Sequence, residues 1–217
     1  MRESFHRELD EINQALISLG RQTEQALEAA THALLTADLP LAEKVIADDD
    51  KIDDAQHALD AKTIDLMARQ SPVANDLRAL VTSLRMSADL ERMGDLAHHI
   101  AKLARMRFPA SAVPSELLLT IQEMSRVASK IVGKAIDLIS SRDASAAKVL
   151  EKDDDEMDIL HRKLLATLLD DTWSHGIETA IDMTLVGRYY ERFADHAVSI
   201  ARRIYFLVEG EYYSDQR

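Results

Sequence analysis

The chain has 217 residues, 47% of them hydrophobic and only 5% aromatic, with 26 basic against 38 acidic residues and a net charge of −12. That balance argues against wholesale disorder, and it disfavours direct binding to nucleic acid or to an anionic lipid surface, both of which need a concentrated basic face. There are no cysteines, which excludes disulfides and thiolate metal sites and fits a reducing compartment.

The N-terminal stretch MRESFHRELDEINQ is charged from the start and carries no apolar signal core. No run of about 18 apolar residues occurs later, so the expectation is a cytoplasmic protein with no membrane insertion. Leu9, Ile12, Leu16, Leu19, Thr23, Ala26, Ala30 and Leu34 recur at steps of three or four, which predicts a helix from about Ser4 to Ala37. Asp38-Leu39-Pro40 breaks it, and a second helix is predicted from Pro40 to Arg69. Ser71-Pro72 is the next stop, because proline disfavours helix at the residue before it. A third helix then covers about Val73 to Arg107.

Two of the four prolines lie in Phe108-Pro109-Ala110-Ser111-Ala112-Val113-Pro114-Ser115, which reads as a linker with Ser115 as the N-cap of the next helix. Leu118, Ile121, Ser125, Ala128, Ile131, Ala135 and Leu138 mark that fourth helix, ending near Ser141-Arg142-Asp143. A fifth is predicted over about Ala144–Asp170 and a sixth over about Ile177–Glu209, separated by the turn Thr172-Trp173-Ser174-His175-Gly176. The expected architecture is all-α, six antiparallel helices as two three-helix bundles, with units at residues 1–108 and 109–217.

The halves also repeat in residue identity. Glu91-Arg92-Met93-Gly94-Asp95-Leu96-Ala97-His98-His99-Ile100-Ala101-Lys102 aligns without a gap to Glu191-Arg192-Phe193-Ala194-Asp195-His196-Ala197-Val198-Ser199-Ile200-Ala201-Arg202. A weaker echo joins Asp50-Lys51-Ile52-Asp53 to Asp155-Glu156-Met157-Asp158 on the second helix of each half. Charged identities at matched spacing point to a duplicated unit.

Glu91 and Asp95 stand four apart, on one helical face, and so do Glu191 and Asp195. Like charges at that spacing cost about 0.2–0.5 kcal/mol unless a partner compensates. Hard divalent cations suit clustered carboxylates, and Asp50, Asp53, Asp155 and Asp158 are candidate extra donors. Beside these acids, Ser87, Gly94, Ala97 and Ala101 form a stripe of small residues, repeated by Gly187, Ala194, Ala197 and Ala201. Such stripes let helices approach closely. The bland alternative is that the acids pair with arginines and lysines, and that the runs Asp48-Asp49-Asp50 and Asp153-Asp154-Asp155 are solvated faces.

Asp54/His57, Asp95/His98 and Asp158/His161 have i, i+3 spacing, and Glu3/His6 is the single Glu-x-x-His. Ferritin-like di-iron sites use Glu-x-x-His on two helices. Val198 stands where the second copy would need its histidine, which disfavours a symmetric di-iron oxidase. No Gly-rich phosphate loop or nucleophile elbow appears, so the expectation is a protein that binds rather than one that catalyses.

The stretch Ser71-Pro72-Val73-Ala74-Asn75-Asp76-Leu77-Arg78, followed by Asp89-Leu90-Glu91-Arg92-Met93-Gly94-Asp95, resembles the first half of the PhoU family, and Glu191-Arg192-Phe193-Ala194-Asp195-His196-Ala197 is similar to its second signature. The resemblance spans essentially the whole chain. It implies two three-helix bundles side by side, a homodimer, and a non-enzymatic negative regulator of the phosphate-starvation response. That regulator links the ATP-binding subunit of the phosphate ABC transporter to a sensor histidine kinase. The resemblance also implies metal (Fe, Mn, Mg or Zn) at Glu91/Asp95 and Glu191/Asp195. Val198-Ser199 departs from the family's Asn before the second Ile-Ala, so it does not imply two equal metal sites. A carboxylate-bridged metalloenzyme and a metal-free helical scaffold stand as the alternatives.

Overall fold

A computed structural model describes the backbone of residues 2–211 and the side chains of all but residue 2 and residues 151–153. Residues 1 and 212–217 of the two expected units lie outside the described residues, as does the side chain of Asp153. The elements are α1 (Arg2–Thr36), α2 (Leu39–Gln70), α3 (Ala74–Arg107), α4 (Leu118–Ser141), α5 (Ala144–Leu168) and α6 (Gly176–Glu209). A single 3₁₀ turn at Ser115–Leu117 precedes α4. No strand occurs among the described residues.

The breaks follow from local chemistry. Asp38 caps α2 by accepting the Leu41 N–H at 3.0 Å, with Pro40 in the first turn where no donor is missed. Asp143 caps α5 in the same way, its Oδ1 accepting from Ser145 N at 2.8 Å and Ala146 N at 3.0 Å. The two caps are 105 residues apart (143 − 38), so the duplication extends to how the second helix of each half begins. Ser71 and Arg142 end α2 and α4 in left-handed conformation, each donating its N–H to a carbonyl four residues back.

The expected cap at Ser115 is not formed. Its hydroxyl lies 3.3 Å from the Glu116 carboxylate, and the helical path enters from Pro114 through the 3₁₀ turn instead. The fifth helix also stops at Leu168, two residues short of expectation, as the Asp170 carboxylate turns to accept the Thr172 N–H at 2.9 Å.

Helices α1, α2 and α3 pack on one another, as do α4, α5 and α6, and the two bundles meet along α1·α4 and α3·α6. One continuous core runs through both, from Ile12, Leu16 and Leu90 to Ile131 and Phe193. At its centre sits a buried polar triad. The Tyr190 hydroxyl lies 2.7 Å from Thr31 Oγ1, which accepts from Ser125 at 3.0 Å and donates to the Leu27 carbonyl at 2.7 Å. Every hydroxyl is therefore partnered, which a buried network requires to avoid a net cost. It ties α1, α4 and α6 in one register.

Helices α3 and α6 run antiparallel across the joint. Asp89 meets His196 (3.1 Å) and Arg203 (2.6 Å), while at the other end Arg107 holds Asp182 (2.6 Å) and Glu178 (2.6 Å). Asp89 and Asp182 are both buried, so these pairs are specific cross-links rather than loose surface contacts. None of the described helices is long and apolar enough to cross a membrane.

Candidate functional site

The small-residue stripes do the expected packing. Ser87, Gly94, Ala97 and Ala101 are buried on α3, and Gly187, Ala194, Ala197 and Ala201 on α6. At Gly94 an added Cβ would come within 3.0 Å of Ile52 on α2, and at Gly187 within 2.6 Å of Leu164 on α5. Each third helix therefore lies tight against the second helix of its own repeat, and that contact brings their acids together.

In the first repeat, Asp49 and Asp53 of α2 face Glu91 and Asp95 of α3. Desolvation raises the Asp53 pKa first, with Asp49 and Asp95 adding to it. Glu91 is raised by desolvation and then by Asp95. Two groups relieve the crowding: Arg92 donates to Asp95 at 2.8 Å, and the His98 ring Nδ1 makes a close pair with Asp49. The buried Nε2 of His98 has no hydrogen-bond partner.

The second repeat has the same arrangement with a different counter-charge. Asp154 of α5 faces Glu191 and Asp195 of α6, while Asp158, one turn further along, is exposed. Burial, then Asp195, Asp158 and Glu191, push Asp154 up to about 6. Its Oδ1 is buried and without a partner. Asp195 keeps an exposed edge, yet the atoms packed around its carboxyl desolvate it and, with Glu191, raise its pKa. Val198 stands where the first repeat has His98; the imidazole comes instead from His161 of α5, 3.4 Å from Glu191, and Arg188 closes on the same carboxylate.

The structure thus brings Glu91, Asp95 and Asp53 together in the first repeat and Glu191 and Asp195 beside Asp154 in the second, with Asp158 exposed one turn away. Asp50 and Asp155 lie on the exposed sides of their helices, and the inward positions belong to Asp49 and Asp154. Periodicity carries that signal. Asp49 stands between buried Val45 and Ile52, and Asp154 between buried Leu150 and Met157, at steps of four and three. The i, i+3 histidine spacings proved misleading in another sense. His98 pairs across to Asp49, not back to Asp95, and His161 reaches Glu191, not Asp158.

Chemically, each cluster is a set of hard oxygen donors that repel one another until a cation or proton enters. Among the described residues no three His, Asp or Glu side chains are already gathered tightly enough to enclose an ion. The donor set nonetheless suits a hard cation best in the second repeat, where the buried, unpartnered Asp154 oxygen is an uncompensated acceptor. In the first repeat His98 already occupies the matching carboxylate.

Comparison with known proteins places this geometry in context. The PhoU domain model matches residues 16–104 and again 121–204. The phosphate-specific transport system accessory protein PhoU homolog 2 of Mycobacterium tuberculosis is 44% identical over 212 residues, covering 98% of this chain and all of that protein. Homolog 1 of Mycobacterium leprae is 44% identical over 215 residues, covering 99% of this chain and 97% of that one. The crystal structure of the phosphate transport system regulatory protein PhoU from Streptococcus pneumoniae superposes with a TM-score of 0.87 at 26% identity, over 97% of this chain and 99% of its own.

Proposed function

The chain belongs to the PhoU family, and from that premise we propose that it is a regulatory accessory of phosphate-specific transport. It acts by binding: it couples the ATP-binding subunit of a phosphate ABC transporter to a sensor histidine kinase on the cytoplasmic side, and so represses the phosphate-starvation response while phosphate is plentiful. The observation that carries this reading is the match over nearly the full length of both chains to proteins named as accessories of that system. An acidic chain of net charge −12 also suits basic protein partners. Homodimerisation would present each partner with two copies of the same surface.

Within this role the acidic clusters hold a divalent or trivalent ion such as Fe, Mn, Mg or Zn, with Glu91, Asp95, Glu191 and Asp195 as donors beside Asp53 and Asp158. Asp154 joins them from the inward side of the second repeat, whereas Asp49 is held by His98. Support comes from the duplicated like charges, the raised pKa values and the free oxygen of Asp154.

Two measurements separate the layers of the proposal. Deleting the gene should switch on phosphate-uptake genes in high phosphate, and unchanged expression there would refute the regulatory role. Metal content of the wild type against Asp95→Ala/Asp195→Ala should fall in the variant, whereas equal content moves the ion elsewhere without touching the regulatory reading. The competing metalloenzyme reading requires that iron-loaded protein consume oxygen or turn over a substrate.

A further inference from the structure

The duplicated motif contains an arginine as well as its two acids, and neither the cation nor the adaptor reading gives that arginine a task. Arg92 and Arg192 hold the same place in the two copies, 100 residues apart (192 − 92). Because α3 and α6 lie antiparallel, the structure brings both to one open groove between these helices. Arg188, one turn before Arg192, lines it too. The walls include the stacked rings of His99 and Tyr189, 5.3 Å apart and inclined by 27°, and the imidazole of His196. Asp95 is the one carboxylate on the lining. Three guanidinium groups meet one carboxylate on the lining itself, with Glu91 and Glu191 paired to Arg92 and Arg188 from outside it.

Several of these groups are underused. Arg192 makes no ion pair within 4 Å among the described residues, touching Asp195 only through its longer-range charge, and the Tyr189 hydroxyl and His99 ring nitrogens have no hydrogen-bond partner there. Arg92 is held by Asp95 (2.8 Å) and Glu91 (3.6 Å), and Arg188 by Glu191, but these arginine side chains are 64% and 47% exposed. Exposed pairs of this kind are weak and exchange partners readily. We propose that the groove is a binding site for a phosphate-class oxyanion, clamped between the duplicated Arg92 and Arg192 with Arg188 beside them. Tyr189 and His99 add an O–H and a ring N–H donor.

The number and charge of the donors favour this class over a carboxylate. Guanidinium forks approaching from two helices need acceptor oxygens pointing in more than one plane, and a tetrahedral dianion supplies them. A carboxylate offers two coplanar oxygens and a single charge. The stacked His99–Tyr189 pair also offers a ring face, so the phosphate could be the free ion or the phosphate tail of a nucleotide. The groove stands independently of the regulatory and cation readings, and its test involves neither gene expression nor metal.

Calorimetry on the full chain, in chelator and at matched ionic strength with chloride, would compare inorganic phosphate with adenosine triphosphate. We expect saturable binding of at least one, weakened tenfold or more in Arg192→Gln and in Arg92→Gln, and unchanged in Lys44→Gln, an α2 residue outside the groove's lining. Arg192→Lys keeps the charge and loses the fork; its intermediate affinity would support the clamp even if a glutamine variant failed to fold. Tighter binding of the nucleotide, lost in Tyr189→Leu, assigns the tail; binding of inorganic phosphate alone assigns the free ion. If neither ligand saturates at millimolar concentration, or if both arginine variants bind within a factor of two of wild type, the proposal is overturned.

Discussion

Replacing Asp154 with asparagine removes one charge from a crowded, partly buried carboxylate while keeping its shape. Burial and three neighbouring acids push this group from 3.8 up to about 6. At about 1.4 kcal/mol per pKa unit that is at most about 3 kcal/mol, and partial solvent contact reduces it to about 1–2 kcal/mol. The sign follows from linkage. A folded-state pKa above the unfolded one means that folding favours the protonated form. That contribution is complete below about pH 4 and is lost as pH rises through about 6. Asparagine mimics the protonated state at every pH. Urea unfolding followed by circular dichroism, on micromolar protein in chelator, should find Asp154→Asn more stable than wild type by about 1–2 kcal/mol at pH 7.5, or about 2–8 °C in Tm. At pH 4.0, close to the unfolded-state pKa, the two should agree within about 0.5 kcal/mol. An equal difference at both pH values would mean that charge crowding at Asp154 is not what the substitution relieves.

The remaining expectations concern packing and coupling. Gly20→Ala sets a Cβ 2.7 Å from Cγ1 of buried Ile136 across the α1·α4 seam and should cost about 1–3 kcal/mol, whereas Gly133→Ala meets only Glu24 at 3.4 Å and should gain about 0.5–1 kcal/mol; thermal melts that move in the same direction would refute this. Asp89→Asn should lose about 2 kcal/mol by orphaning Arg203 and His196, and a double-mutant cycle with Arg203→Met should show coupling of at least about 0.5 kcal/mol, strict additivity being the contrary result. Since Asp95 and Glu191 hold Arg92 and Arg188, a cation on those acids frees the arginines, so phosphate titrated with and without Mn²⁺ should bind more tightly with the metal. Equal affinities would mean the arginines do not exchange partners.

How much of this was legible in the chain depends on the range of the interaction involved. The helices were readable because each carries its own apolar stripe and its own stop, as at Asp38-Leu39-Pro40 and at Ser71-Pro72. The cap at Ser115 was misread because a serine before a helix competes with the path the preceding prolines impose. Asp49 and Asp154 are legible only through periodicity: inside the runs Asp48-Asp49-Asp50 and Asp153-Asp154-Asp155 charge suggests a solvated face, and only the step of four from Val45 or Leu150 shows which member turns inward. The groove was not legible at all. In a duplicated pair of antiparallel helices, residues far from the crossing see only their own repeat, and residues near it meet their own counterparts. Glu91 and Glu191 face α2 and α5 respectively, whereas Arg92 and Arg192, one residue further and about 100° around the helix, line a groove shared by both halves. One motif therefore serves two surfaces. Which of its residues serves which is set by where α3 crosses α6, a long-range fact that no local period encodes.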